Sequence, residues 1–224
     1  MTSEERKAWE KQQRENRIID MAEPVFFKNG YDATTMIGIA DASGYNKRTI
    51  YLYFKDKEEI FLAVVLRGLT LLHDTLKPAA SEPDIRDLGK AFFDFSLAHP
   101  DYLKLIMVYE ANTCVYQSGP SGTLHPKPIG PYKERCQEKT DAIAGLMTQC
   151  LEQAIAHGRI HTELSPEQLM LVLWGQVFGV MQIILMRRRG FEEAYGISYK
   201  ALFDTFLEMT ITALVSPPPE GLRI

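Results

Sequence analysis

The stretch from Thr34 to Phe54, TTMIGIADASGYNKRTIYLYF, decides how this chain is read. It carries two short helical signals separated by a glycine. Thr34 is a residue type that caps a helix, and Ile37, Ala40 and Ala42 behind it are small or apolar side chains suited to close packing. Gly44 permits a sharp turn and Asn46 supplies a second cap. Two short helices at a steep angle are therefore predicted, with Ile50 and Phe54 facing inward at helical spacing. The second helix opens with Lys47, Arg48 and Thr49 on its first turn, the part of a recognition helix that reaches base edges in the major groove. The hydroxyls of Tyr51 and Tyr53 suit phosphate oxygens. Lys55 and Lys57 add charge at the start of the next helix, whose dipole also favours an anion. From Lys47 to Lys57, four cations face the single acid Asp56. The competing reading of the same spacing is a solvated helical hairpin that carries a few lysines.

The local cluster matters because the whole chain is not basic. Its 224 residues have a formal charge of −4, so no global field draws it to nucleic acid. A hydrophobic content of 46% is enough to bury a substantial core. Cys114, Cys136 and Cys150 are odd in number and lack CxxC spacing, which fits a reducing compartment and a cytoplasmic location. The N-terminal MTSEERKAWEKQQREN is densely charged and does not read as a secretory signal. No GxSxG, HExxH, phosphate-loop or paired-carboxylate pattern occurs, so no enzyme, catalytic residue or cofactor is expected. His157 and His161 have a metal-like i, i+4 spacing, but Gly158 interrupts the helix that would align them, and no metal is expected. Arg187, Arg188 and Arg189 suit the negative end of a helix dipole.

Helical signals dominate elsewhere, and the chain reads as all-α. Thr2 with Glu5 forms a capping box for a helix through Ile18, Ile19, Ala22, Phe26 and Phe27, ending at Asn29-Gly30 and kinked at Pro24. Asp56 with Glu59 opens a long helix through Leu76 that Lys77-Pro78 closes. Ser81, Pro83 and Asp84 open the next, to about Ala98, and His99-Pro100 restarts a helix to about Tyr116. Gln117 to Pro131 is a loop, and Lys133 to Ala156 is helical again. Ser165, Pro166 and Gln168 start a helix that ends at the arginine run and Gly190. Within it, Leu169 to Met186 has no charge over eighteen residues, the threshold for a membrane span. Gln176, Gln182 and the two glycines Gly175 and Gly179 favour instead a helix covered by protein on nearly all sides, with no membrane partner. A last helix spans Ser198 to Val215, stopped by Ser216-Pro217-Pro218-Pro219.

From Phe26 to Phe61 the sequence FFKNGYDATTMIGIADASGYNKRTIYLYFKDKEEIF resembles the N-terminal DNA-binding domain of the tetracycline-repressor (TetR) family. The matching residues include Phe26, Gly30, Tyr31, Thr34, Thr35, Ile39, Ala40, Ala42, Gly44, Lys47, Thr49, Tyr51, Phe54, Lys57 and Glu58, in one register. By motif, the likeness covers roughly residues 10 to 62. It implies a helix-turn-helix DNA-binding domain, here residues 1–58, and a larger helical domain for effector binding and dimerisation, residues 59–224. It also implies a repressor acting as a homodimer on a near-palindromic duplex DNA operator, released by a small-molecule effector. The alternative is a helical binding or scaffold protein that does not touch DNA. Gly38, Arg48 and Pro24 depart from the family pattern, and Arg48 offers an additional base contact, preferably to guanine.

On this reading Thr35, Tyr45, Asn46, Lys47, Arg48, Thr49, Tyr51, Tyr53, Lys55 and Lys57 serve DNA. The resemblance puts effector sensing between about Ile60 and Ala156, where aromatic stripes are dense; such stripes are also ordinary core packing. Glu110 shares a helical face with Leu103, Ile106, Met107 and Cys114, so its carboxylate is expected in apolar surroundings. It then needs an arginine, water, or a cationic or donor group on an effector. The expected effector set is Phe92, Phe95, Met107, Tyr109, Glu110 and Cys114. The expected dimer set is Gly175, Phe178, Gly179 and Gln182, where paired glycines let two backbones approach.

Overall fold

The computed structural model describes residues 2–81, 84–113 and 130–215. Pro83, Cys114, Tyr116, nearly all of the expected loop from Gln117 and the proline run after Ser216 lie outside them. The described residues form helices and no strand: α1 (Ser3–Ala33), α2 (Met36–Ser43), α3 (Lys47–Ile50), α4 (Lys57–Ala79), α5 (Ile85–Ala98), α6 (Pro100–Thr113), α7 (Pro131–Ala156), α8 (Pro166–Met186), α9 (Phe191–Tyr195) and α10 (Tyr199–Val215).

Two compact units emerge, residues 1–70 with 101–139 and residues 71–100 with 140–224. The division falls inside α4 and differs from a cut after residue 58. The first half of α4 shares its core with α1: Phe61 meets Phe26 edge-on at 5.6 Å and Tyr31 at 4.7 Å. Gly68 lies under the Tyr102 ring of α6, and the Cys136 thiol of α7 donates to the Leu62 carbonyl at 3.3 Å. Burial pushes that thiol up to about 12, so it remains an inert core side chain.

In the first unit α1 begins with the expected capping box. Thr2 Oγ1 accepts from the Glu5 N–H at 3.2 Å, and the Glu5 carboxylate accepts from the Thr2 N–H at 2.7 Å. Helical dihedrals continue through Pro24, and the departure comes at Gly30, with φ 72° and ψ −179°. Only glycine adopts that conformation at little cost. Thr34 does not cap the next helix. It is 1% exposed, and its hydroxyl donates to the Gly30 carbonyl at 2.7 Å, closing the turn that Gly30 opens. Thr35 caps α2 instead, accepting from the Gly38 N–H at 3.1 Å.

The second unit is built on α5, α8, α10 and the later parts of α4 and α7. Phe93 stacks on Phe203 at 4.3 Å, and Leu151, Ala154, Ile160 and Leu169 form a second buried cluster. α4 runs past its expected end to include Pro78, whose fixed φ is compatible with one last helical turn. The short α9 lies beyond the reach of sequence reading; Gly190 (φ 71°) and Gly196 (φ 67°) bracket its five residues. The arginine run has local ring partners: Arg187 lies over Tyr195 at 5.6 Å and Arg188 over Tyr199 at 6.0 Å.

The helix Pro166–Arg187 is long and apolar enough to cross a membrane by length and composition. Within the chain only 17% of its most apolar window is buried, so the expected cover on nearly all sides is not supplied by the chain itself. The bare face includes Leu171 (65% exposed), Val172, Ile183 and Met186.

Candidate nucleic-acid interface

α2, the turn at Gly44 and α3 form the paired helices that the sequence predicts. Gly44 adopts the left-handed conformation, φ 70°, that ends α2 and reverses the chain. α3 is only four residues long, so its stability comes from its cap and its anchors. Asn46 Oδ1 accepts from the Thr49 N–H at 2.8 Å and from the Thr49 hydroxyl at 3.0 Å. Ile50 at 0% and Phe54 at 1% exposure hold it from below, and Ile39 and Ala40 are buried on α2. Each such anchor contributes about 1.5–3 kcal/mol by area. Ile37 and Ala42 face solvent, contrary to the expected packing. On an eight-residue helix only the Ile39, Ala40 and Ser43 face lies inward.

This anchoring leaves Lys47 and Arg48 exposed on the first turn of α3. The Lys47 ammonium lies 5.8 Å from the centre of the exposed Tyr51 ring. Tyr53 is half-buried, and its hydroxyl accepts from the Arg14 guanidinium of α1 at 3.5 Å. Tyr45 lies under Arg17 at 5.7 Å, also from α1. Thr35 and Asn46 are exposed and engaged as caps, Thr49 is half-buried against Asn46, and Lys55 is exposed. The fold thus adds Arg14 and Arg17 to the positive surface, a pair that motif reading missed. Their signal is weak: they lie in a mixed-charge helix, and only the folding of α1 over the hairpin brings them beside the tyrosines.

Lys57 is committed within the chain. Its ammonium donates to the carbonyls of Tyr31 at 2.7 Å and Asp32 at 3.4 Å, and lies 4.2 Å from the Tyr31 ring centre. It satisfies carbonyls at the end of α1 that a helix leaves unpaired. At the start of α4, Asp56 Oδ1 accepts from the Glu59 N–H at 2.9 Å, while the Glu59 carboxylate accepts from the Lys55 N–H at 2.6 Å.

The expected effector residues are divided between the two units. Phe92 lines a cavity of the second unit, about 70 Å³ in volume and partly open to solvent. Phe95 is buried but absent from its walls, and Met107, Tyr109 and Glu110 belong to the first unit. Cys114 lies outside the described residues. Burial raises the Glu110 carboxyl above the usual carboxylate range, in keeping with apolar surroundings. Among the expected dimer residues, Gly175, Gly179 and Gln182 are exposed, and a Cβ added at either glycine would meet nothing within 4 Å. Phe178 packs inward on Trp174 at 4.4 Å and Phe92 at 5.7 Å.

Residues 18–64 match the family model described as bacterial regulatory proteins, tetR family. The uncharacterized HTH-type transcriptional regulator YfiR of Bacillus subtilis (strain 168) is 36% identical over 59 residues, 26% of this chain and 29% of that protein. That match therefore spans under a third of the relative's length. The HTH-type transcriptional repressor BepR of Brucella suis biovar 1 (strain 1330) is 24% identical over 175 residues, 78% of this chain and 82% of that one. Among solved structures, SmeT, the repressor of the Stenotrophomonas maltophilia multidrug efflux pump SmeDEF, superposes with TM-score 0.62 at 20% identity, covering 94% and 93% of the two chains. With its capped recognition turn and its inward Ile50 and Phe54, the segment of residues 18–64 is a helix-turn-helix that matches the model of the tetR family of bacterial regulatory proteins.

Proposed function

We propose that the protein is a cytoplasmic transcriptional repressor that binds a near-palindromic operator as a homodimer and leaves it when a small molecule binds. The carrying observation is the exposure of Lys47 and Arg48 on a capped turn whose other face is fully anchored. In this reading Lys47 and Arg48 meet base edges. Arg14, Thr35, Tyr45, Tyr51, Tyr53 and Lys55 hold phosphates, and Asn46 with Thr49 keeps the turn in shape. A bidentate Arg48–guanine contact contributes about 1–3 kcal/mol of discrimination.

The dimer rests on α8 and α10. Both carry bare apolar surface, Leu171 and Met186 on one and Met209 (69% exposed) and Val215 on the other. Gly175 and Gly179 serve no packing inside the chain, which leaves them free to admit a second backbone. A second copy suits this face better than lipid, because Gln176 and Gln182 are exposed on it and two amides in hydrocarbon cost several kcal/mol. Two copies would present their recognition turns about 34 Å apart, one DNA turn.

The test is retention of duplex DNA as a function of salt, with sedimentation of the free protein. For a regulator the logarithm of the binding constant falls linearly in log salt, with a slope of about −0.9 per phosphate neutralised, and the protein sediments as a dimer at micromolar concentration. Absence of salt-dependent retention, or a monomer, would sink the proposal and leave a helical binding protein in its place.

A further inference from the structure

We propose that the cavity of the second unit takes an uncharged, largely hydrocarbon ligand, with a flat ring among its groups, and that this ligand is the effector. The last clause rests on the regulator reading; the ligand chemistry does not. Fourteen of the described residues line the space, and none of these has an ionisable side chain. Thr210 is the one hydroxyl, and its proton is already donated to the Phe206 carbonyl at 2.9 Å, which leaves only acceptor lone pairs for a ligand. A charge placed here would be stripped of water with no opposite charge among the described lining residues to meet it. The walls supply ring faces and edges: Phe92 meets Trp174 at 5.4 Å and 65°, and Phe203 meets Phe206 at 5.8 Å and 57°. Such walls suit an aromatic group in offset or edge contact. A carboxylate such as Glu110, which motif reading would pair with a cationic effector, is not among the lining residues.

On the cavity wall Leu207 packs directly against Gly89. A Cβ there would come within 2.7 Å of Leu207 Cδ1, the flexible end of a side chain that itself lines the cavity. Gly89→Ala therefore pushes that end aside and narrows the space. Alanine is also the better helix former, so this variant should fold.

The test uses the full chain carrying Trp9→Phe, which leaves Trp174 as the only tryptophan. Its fluorescence is titrated with N-phenyl-1-naphthylamine, a neutral aromatic, with the anionic 8-anilinonaphthalene-1-sulfonate of similar shape, and with 1-decanol as a neutral chain without a ring. The neutral aromatic should quench Trp174 saturably, with the sulfonate about 100-fold weaker, since an unpaired buried charge forfeits that much. Decanol should bind more weakly than the aromatic. Gly89→Ala and Val177→Phe, two independent ways of filling the space, should each weaken the neutral probe about tenfold or more, and Thr210→Val should leave it unchanged. Equal binding of the sulfonate would overturn the ligand class. Decanol binding as tightly as the aromatic would remove the ring requirement. Full affinity in a folded Gly89→Ala or Val177→Phe variant would remove the site. Duplex retention is measured on the same samples: probe binding without DNA binding would sink the regulator reading and spare the pocket, and DNA binding without probe binding would do the reverse.

Discussion

Lys57→Ala separates a charge that holds the fold from charges that hold DNA. The Lys57 ammonium donates to the Tyr31 carbonyl at 2.7 Å and the Asp32 carbonyl at 3.4 Å, and rests on the Tyr31 ring. A hydrogen bond from a charged donor contributes about 1.5–3 kcal/mol, and a partly exposed cation–π contact about 0.5–1 kcal/mol. With Lys57 half-buried and the second bond long, a loss of about 2–3 kcal/mol follows for the variant. In a chain of this size that lowers Tm by roughly 4–12 °C. Lys55→Ala and Lys47→Ala remove exposed charges and should leave Tm unchanged within about 1–2 °C. The salt slope on duplex DNA should fall by about 0.9 for Lys55→Ala, whereas Lys47→Ala should relax base preference. Thermal unfolding and salt-dependent binding on the three proteins decide the matter. An unchanged Tm for Lys57→Ala together with a slope lowered by one phosphate would refute the structural role and return Lys57 to the DNA surface.

Other perturbations test the packing and the electrostatics. Gly68→Ala should destabilise the protein by about 1–2 kcal/mol in urea unfolding despite the gain in helix propensity, because its Cβ would meet Tyr102 Cδ1 at 2.8 Å. The Tyr102 ring cannot swing aside, since its hydroxyl donates to the Glu23 carboxylate at 2.6 Å and its edge meets Phe27 at 5.0 Å; a neutral or stabilising result would show that it can. Burial raises the Glu110 carboxyl, so the folded state prefers the protonated acid. Its stabilising effect is complete below the unfolded pKa and is lost as pH rises through the folded one. Glu110→Gln should therefore raise Tm at pH 8 and change it little at pH 4, and an equal shift at both would refute the burial argument. A Cβ at residue 179 meets nothing within 4 Å, so Gly179→Leu should leave the monomer fold intact while driving the protein toward monomer in sedimentation; an undisturbed dimer would move the interface elsewhere.

The hairpin was legible in the sequence because its determinants are local. Gly44 at φ 70°, the Asn46 cap and the i, i+4 pair Ile50 and Phe54 all act within a few residues of one another. Thr34 and Thr35 show the limit of that legibility. Either could cap α2, and the choice was made by Gly30, whose carbonyl draws in the Thr34 hydroxyl at 2.7 Å. Arg14 and Arg17 could not be assigned from spacing, since their tyrosine partners lie 39 and 28 positions away along the chain. The burial that raises the Glu110 carboxyl accords with its helical face, yet a face says nothing about which groups or which cavity it adjoins. The cavity itself gathers side chains from α4, α5, α7, α8 and α10, a set that no local pattern reveals.

The same two helices of the second unit carry both a ligand wall and a bare face. Leu173, Trp174 and Val177 of α8 turn to the cavity while Leu171, Val172, Gly175 and Gly179 turn to solvent. On α10, Phe203, Phe206 and Leu207 line the cavity while Met209 lies 69% exposed. Cores are close-packed, so a ligand that spreads the inner side chains must shift the outer ones. If the outer faces join two copies, ligand binding and subunit geometry become linked, and the linkage is reciprocal: whatever free energy the ligand contributes to one subunit arrangement, that arrangement returns to ligand affinity. Switching nearly the whole population requires about a 10⁴-fold preference, roughly 5.5 kcal/mol. A wholly apolar ligand reaches that only by burying different areas in the two arrangements, about 220 Å² of difference at roughly 25 cal/mol per Å². That is about the area of one large aromatic ring system. If α8 and α10 join two copies, a ligand among the rings of Phe92, Trp174, Phe203 and Phe206 drives the switch without any charged contact when one arrangement encloses it and the other leaves a face of it open.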